Sequence, residues 1–190
     1  MKHTLLIAAL LGASAFATAA PMSYTIDQSH TFPQFEVDHL GFSTQHGRFD
    51  KTTGSIVLDL AAKSGNIDIS IDTGSIDTGW EKRDAHLKSE DFFNVAKYPA
   101  MTFKSKNLKF DGDKLVAVSG DFTLLGVTKP LTLTVNNFKC VDSHPMAKKP
   151  WCGADATATI KRSEFGMKTY VPAVGDEVKL TIQIEAMGGK

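Results

Sequence analysis

A two-residue alternation of apolar and polar side chains restricts this chain to extended, half-buried elements over much of its length. Ile67, Ile69, Ile71 and Thr73 alternate with Asp68, Ser70 and Asp72, and Val178, Leu180, Ile182 and Ile184 with Lys179, Thr181, Gln183 and Glu185. Successive side chains on a strand point to opposite faces, so each run has one wet and one buried face, the pattern of antiparallel sheet. Further strands are expected at about 31–39, 47–60, 101–109, 115–124, 130–139 and 153–162, with the Asp111-Gly112 turn of "FDGDKL" closing a hairpin. About eight strands with no helix repeating between them define an all-β chain, either a closed antiparallel barrel or a two-sheet sandwich, of which the barrel removes exposed edges. A barrel of this size either fills with side chains or encloses one small ligand.

The inward faces bear on that choice. Ala154, Ala156, Ala158 and Ile160 share one parity, as do Val116, Val118, Gly120, Phe122 and Leu124, which puts small side chains at strand centres. Such positions either leave an open interior or accommodate barrel taper and close sheet packing. The aromatic residues are 12 Phe against 2 Trp and 3 Tyr, so an interior built from them would be dry and suited to a long apolar ligand.

The period changes in "GWEKRDAHLKSEDFF", residues 79–93. Thr78 and Glu81 have capping-box spacing, which predicts a helix from Gly79 to Leu87 or Lys88 that docks Trp80 and Leu87 on the sheet and pairs Asp84 with Lys88. Ser89 is placed to open a second helical turn, with Phe92 and Phe93 packing inward. Asp84 and His86 are two residues apart and point to different sides, so they do not form an acid–imidazole pair, and no nucleophile elbow, zinc-protease or phosphate-loop motif occurs in the chain. The reading is therefore non-enzymatic, with no catalytic residue assigned. Arg83 and His86 either contact a polar head group at a barrel mouth or form salt bridges.

Residues 1–19 combine Lys2, an apolar stretch from Leu5 and the small-x-small Ala17-Thr18-Ala19, the composition of a cleavable export signal. The expected mature domain is 20–190, in a bacterial periplasm or secreted, and no other run is apolar enough to span a bilayer. In an oxidising compartment Cys140 and Cys152, which bracket a short loop, are expected to form a disulfide, since they lack redox C-x-x-C spacing and only His144 lies between them. Lys plus Arg equals Asp plus Glu at 21 each, which removes the basic field expected of a nucleic-acid partner. His30, His39 and His46 lie on or beside the first strands. Their spacing is not diagnostic, and no metal or required cofactor is assigned.

"YTIDQSHTFPQFEVDHLGFSTQHGRF", "RDAHLKSEDFFNVAKYP", "GDFTLLGVTKPLTL" and "FGMK" occur in this order and resemble the YceI-like family of exported bacterial proteins. The resemblance implies a lipocalin-like, eight-stranded barrel with a helical insertion, and a tunnel for a polyisoprenoid chain such as that of an isoprenoid quinone. It also implies self-association into dimers. On that reading strand parity assigns the ligand-binding lining to Phe35, Val37, Met101, Phe103, Val118, Phe122, Leu131, Leu133, Ala156, Ala158, Leu180 and Ile182, with Phe92 and Phe93 beside the insertion. Two rival readings remain: a metal- or His-dependent enzyme using His30, His39 and His86, and a filled barrel serving as an interaction module.

Overall fold

Residues 20–189 are described by a computed structural model, and the proposed export signal lies outside the described residues. The strands are β1 (Met22–Ile26), β2 (Gln34–His39), β3 (Ser43–Phe49), β4 (Thr52–Asp59), β5 (Ser64–Asp72), β6 (Ile76–Asp77), β7 (Ala100–Asp111), β8 (Lys114–Leu124), β9 (Val127–Val141), β10 (Trp151–Lys161) and β11 (Val174–Gly188), with α1 at Glu81–Lys88. All pairings are antiparallel. The ring β1-β4-β5-β7-β8-β9-β10-β11 closes where Tyr24–Ile26 of β1 pairs with Ala186–Gly188 of β11.

The other half of β11, Val174–Thr181, pairs with β2, which continues through β3 to β6. Thus β1 and β2 follow one another along β11, β3 and β4 form a second interrupted strand, and β5 and β6 a third. The sequence expectation of eight antiparallel strands holds at this level, but three of the positions are broken. The single strand expected over 47–60 is interrupted at Asp50 and Lys51, where Lys51 N–H donates to Ser75 Oγ and Asp50 N–H to Ser75 O. The first strand begins at Gln34 rather than Thr31. Thr31 is fully buried, and its hydroxyl donates to Glu185 O and accepts from Glu185 N–H, closing the gap between β1 and β2. Strand β1, only five residues long, is too short to show a diagnostic alternation in the sequence. The expected hairpin joins β7 to β8, with its two-residue turn at Gly112–Asp113, one position later than Asp111-Gly112, and Gly112 at φ 56°.

The closed sheet buries its inner parity. Tyr24, Ile26, Ile56, Leu58, Ile69, Cys152 and Ala186 pack at the β1 end, and Phe49, Ile76, Phe92, Phe93, Met101, Phe122, Leu124, Phe165 and neighbours at the other. Each fully buried aliphatic or aromatic side chain contributes about 1.5–3 kcal/mol. Gly120 shows that smallness need not mean open space: a Cβ there would meet the Lys104 carbonyl oxygen at 2.2 Å, beside the bulge in β7, so this glycine serves strand approach.

Cys140 and Cys152 are register partners on β9 and β10 and are disulfide-bonded. Cys152 pairs on its other side with Ala186. The staple therefore sits at the β1 end of the barrel, away from α1.

The helical insertion follows different local chemistry from that expected. Gly79, at φ 78°, turns the chain before the helix begins at Glu81, so Thr78 stands outside the first turn. Its N–H and O–H both donate to Asp84 Oδ1, and the Thr78–Glu81 capping box does not form. This occupies Asp84, which makes no ion pair with Lys88. Trp80 is 58% exposed instead of docked, while Leu87 packs against the core. Ser89 both ends α1 and opens the next turn, as expected: its N–H and Oγ donate to His86 O, while its Oγ accepts from Asp91 N–H and its carbonyl from Phe92 N–H. Residues 90–98 continue as turns that carry the buried Phe92 and Phe93 inward, as expected.

Candidate ligand-binding cavity and its mouth

Two connected chambers occupy the barrel axis. The inner one, about 150 Å³, presents no polar surface and is lined from every ring strand except β1. The outer one, about 540 Å³, extends to α1 and the β2–β3 turn. Phe35, Phe49, Met101, Phe122 and Leu180 line both and form the waist between them. Phe35 and Phe49 lie 5.9 Å apart, centroid to centroid, and Phe49 meets Phe93 edge-on at 5.5 Å. Gly47 makes room here, since a Cβ would stand 2.4 Å from the Phe35 ring.

Most of the parity-assigned positions face these chambers. Phe103, Val118, Leu131, Leu133, Ala156 and Ile182 line the inner one, Val37, Phe92 and Phe93 the outer one, and Phe35, Met101, Phe122 and Leu180 the waist. Ala158 does not line either chamber: it is half-buried on the parity of Ala156 and Ile160, between the residues that face the two spaces. Sequence reasoning missed Ile56, Ile67, Ile69 and Phe138 in the inner wall, although Ile67 and Ile69 belong to the clearest alternating run. The disulfide borders the inner chamber through Cys152, so it closes the far end and not the mouth.

Polar groups concentrate at the mouth. Arg83 donates from Nε to Thr78 Oγ1 (2.8 Å), from Nη2 to Thr78 O (2.6 Å) and from Nη1 to Gln45 Oε1, which fixes α1 against β3. His86 lies edge-on to Phe92 (5.1 Å) and Tyr170 (6.1 Å), and its Nε2 is 3.2 Å from Asp91 Oδ2. His86 thus lines the outer chamber and pairs with a carboxylate at the same time. His39, His46 and Lys82 also line this chamber.

Arg162, unmarked by any motif, is only 3% exposed and holds one wall of the mouth. Its guanidinium donates to the carbonyls of Gly175 (2.8 Å), Met167 (3.1 Å), Thr169 (2.9 Å) and Val174 (2.9 Å), tying the 162–175 segment to the start of β11. Burial draws its pKa downward, while the charge of Asp176 acts the other way. The residue is spent on structure.

The three histidines do not come together. His39 and His46 are at the mouth, whereas His30 is at the β1–β11 junction with Asp27 and Glu185. His30 Nδ1 stands 2.6 Å from Asp27 Oδ2, and Glu185 accepts a hydrogen bond from Trp151 Nε1 at 2.7 Å. The Asp27 hydrogen bond, helped by the charge of Glu185, raises the His30 pKa. The positions of His30 and of His39 and His86 divide the histidine set of the enzyme reading between two places.

Protein YceI of Escherichia coli O157:H7 is 37% identical over 194 residues, spanning all of both chains, and a UPF0312 protein of Pseudomonas aeruginosa (strain LESB58) is 36% identical over 98% of each. The crystal structure of a Campylobacter jejuni YCEI protein superposes with a TM-score of 0.68 at 28% identity, covering 80% of this chain and 90% of that one. A domain from Saccharophagus degradans, described as a polyisoprenoid binding domain implicated in plant cell wall breakdown, has the same fold, with a TM-score of 0.67 at 18% identity over 88% and 99% of the two chains. No helix among the described residues is long and apolar enough to cross a membrane. Residues 24–186 match the model of the YceI-like domain, and the chain belongs to that family.

Proposed function

We propose that this protein is an exported carrier or reservoir that holds a polyisoprenoid chain in the two chambers, with the head of the lipid at the α1 mouth. The observation that carries the reading is the gradient along the axis: a chamber without polar surface, a waist of aromatic and aliphatic side chains, and then a wider space whose polar groups gather at one end. Apolar burial at about 25 cal/mol per Å² supplies affinity without polar contacts, so the dry end takes a tail and the mouth takes its head group. Membership of the YceI-like family and the shared fold of a polyisoprenoid binding domain support the same choice. An export signal at 1–19, a periplasmic location and the disulfide form one consistent set, because a structural disulfide suits an oxidising compartment.

In this reading the protein binds rather than catalyses, and Phe92, Phe93, Arg83 and His86 form the side wall that the lipid passes on entry. Uptake of a prenyl alcohol such as geranylgeraniol by delipidated protein, followed by native mass spectrometry, tests it. One lipid per chain is expected, and failure to take up any prenyl chain would overturn the proposal.

A further inference from the structure

Resting on that reading, we propose that the rim of the α1 mouth is a docking surface for a lipid bilayer, with Leu40, Phe42, Trp80 and Tyr170 entering the membrane interface and joining it to the cavity. All four side chains are exposed, Phe42 most of all at 88%. Leu40, Trp80 and Tyr170 also line the outer chamber, so the same residues belong to the cavity wall and to its lip. Phe42 shares the β2–β3 turn with Leu40.

The backbone holds this lip in place against local preference. Leu40 and Gly41 are the central residues of the turn, at φ 58° and 71°, where the pair Asn-Gly is favoured and a leucine is not. Tyr170 is also held at positive φ, 62°. Neither segment is loose. Phe42 N–H donates to His39 O (3.0 Å), Gly41 N–H to Asp38 Oδ2 (2.9 Å), and Val174 N–H to Tyr170 O (2.8 Å). Leu40 N–H donates to Ala173 O (2.9 Å), which braces the β2–β3 turn against the 162–175 segment. A bulky apolar side chain kept exposed in a conformation suited to Asn or Gly gains little within the fold. It gains by leaving water for an apolar phase.

The occupant follows from the cargo. A prenyl chain that crossed water would expose all of its apolar surface, whereas a lip seated in the bilayer gives it an apolar path into the outer chamber. Trp80 and Tyr170 carry a polar N–H and O–H on apolar rings, the residue types that settle at membrane interfaces. The charged residues beside them are of both signs, Glu81 and Lys82 next to Trp80 and Lys168 near Tyr170, so the attachment is apolar rather than electrostatic.

Flotation of delipidated mature protein with phosphatidylethanolamine–phosphatidylglycerol vesicles tests the assignment. The protein floats with the vesicles at about 0.02 and about 0.5 M NaCl alike. Trp80 and Trp151 are the only tryptophans, so in a Trp151→Phe background lipids brominated on their acyl chains quench Trp80 alone. Phe42→Ser weakens the partition about ten- to thirtyfold and leaves the solution affinity for geranylgeraniol unchanged. Leu40→Asn, which suits the turn, weakens the partition without lowering the melting temperature. Met146→Ser removes a side chain that is 85% exposed in the disulfide loop at the opposite end, and leaves the partition unaltered. Protein that takes up prenol but stays out of the vesicle fraction would overturn the docking surface and leave the cavity standing, as would an equal loss of binding through Met146→Ser and Phe42→Ser. Vesicle docking without prenol uptake would overturn the cavity reading instead. A dimer in sedimentation velocity that Phe42→Ser dissociates, with no vesicle binding, would assign the rim to a second copy of the chain and overturn the bilayer as its occupant.

Discussion

Replacing Ala156 by Leu separates an open interior from a packed one. Ala156 is 5% exposed and lines the inner chamber. An empty chamber of about 150 Å³ costs on the order of 3–4 kcal/mol at about 24 cal/mol per Å³. The carbons added by Ala156→Leu extend into that space and bring back roughly 0.8 kcal/mol per methylene, less about 0.5–1 kcal/mol of rotamer entropy, for a net gain of about 1–2 kcal/mol. In a chain of this size that raises the melting temperature of delipidated protein by roughly 2–8 °C. The same side chain shortens the tunnel, so native mass spectrometry of the variant after exposure to a prenol mixture should show a shift toward shorter chains. Had the interior been filled, overpacking would cost about 1–3 kcal/mol. A variant that melts below the parent and retains the same distribution of bound chain lengths would refute the reasoning.

Replacing Cys140 and Cys152 together by Ser releases a loop with a sequence separation of 12, which costs about 3 kcal/mol by chain entropy and lowers the melting temperature by roughly 6–12 °C. Since the staple lies at the far end, calorimetry should find prenol affinity reduced far less than stability; a selective loss of affinity would contradict that placement. Arg162→Met leaves buried carbonyls unpaired and is expected to cost about 3–5 kcal/mol in urea unfolding, with a loss below about 1 kcal/mol counting against the four-carbonyl anchor. The Asp27 hydrogen bond raises the His30 pKa above its ordinary 6.5, so its stabilisation is full below that pH and fades as pH rises through the raised value. Denaturation midpoints of the parent and His30→Gln should therefore differ more at about pH 5.5 than at about pH 8.5, and a pH-independent gap would rule out the ion pair.

The barrel was legible because the period of two is a property of every long strand, and burial on one face forces it. Val118 and Phe122 on β8, and Leu180 and Ile182 on β11, could be assigned inward from parity alone. What parity lacks is position along the axis. It could not tell that Ala158 falls between the chambers, that Gly120 is small for the sake of the β7 backbone, or that the disulfide lies opposite the mouth. The insertion was harder to read, because several acceptors compete for the same donors within a few residues. Glu81 has the spacing to cap with Thr78, yet the turn at Gly79 gives both Thr78 donors to Asp84. Arg162 left no trace in the sequence, as its partners are main-chain carbonyls that any residue supplies.

The central claim, that the barrel holds a long polyisoprenoid, is tested most directly on protein isolated from its own cells without detergent. Native mass spectrometry followed by lipid extraction should find one prenyl lipid per chain. A chain that is ligand-free on isolation and takes up no isoprenoid quinone, prenol or prenyl phosphate when these are supplied would contradict the account.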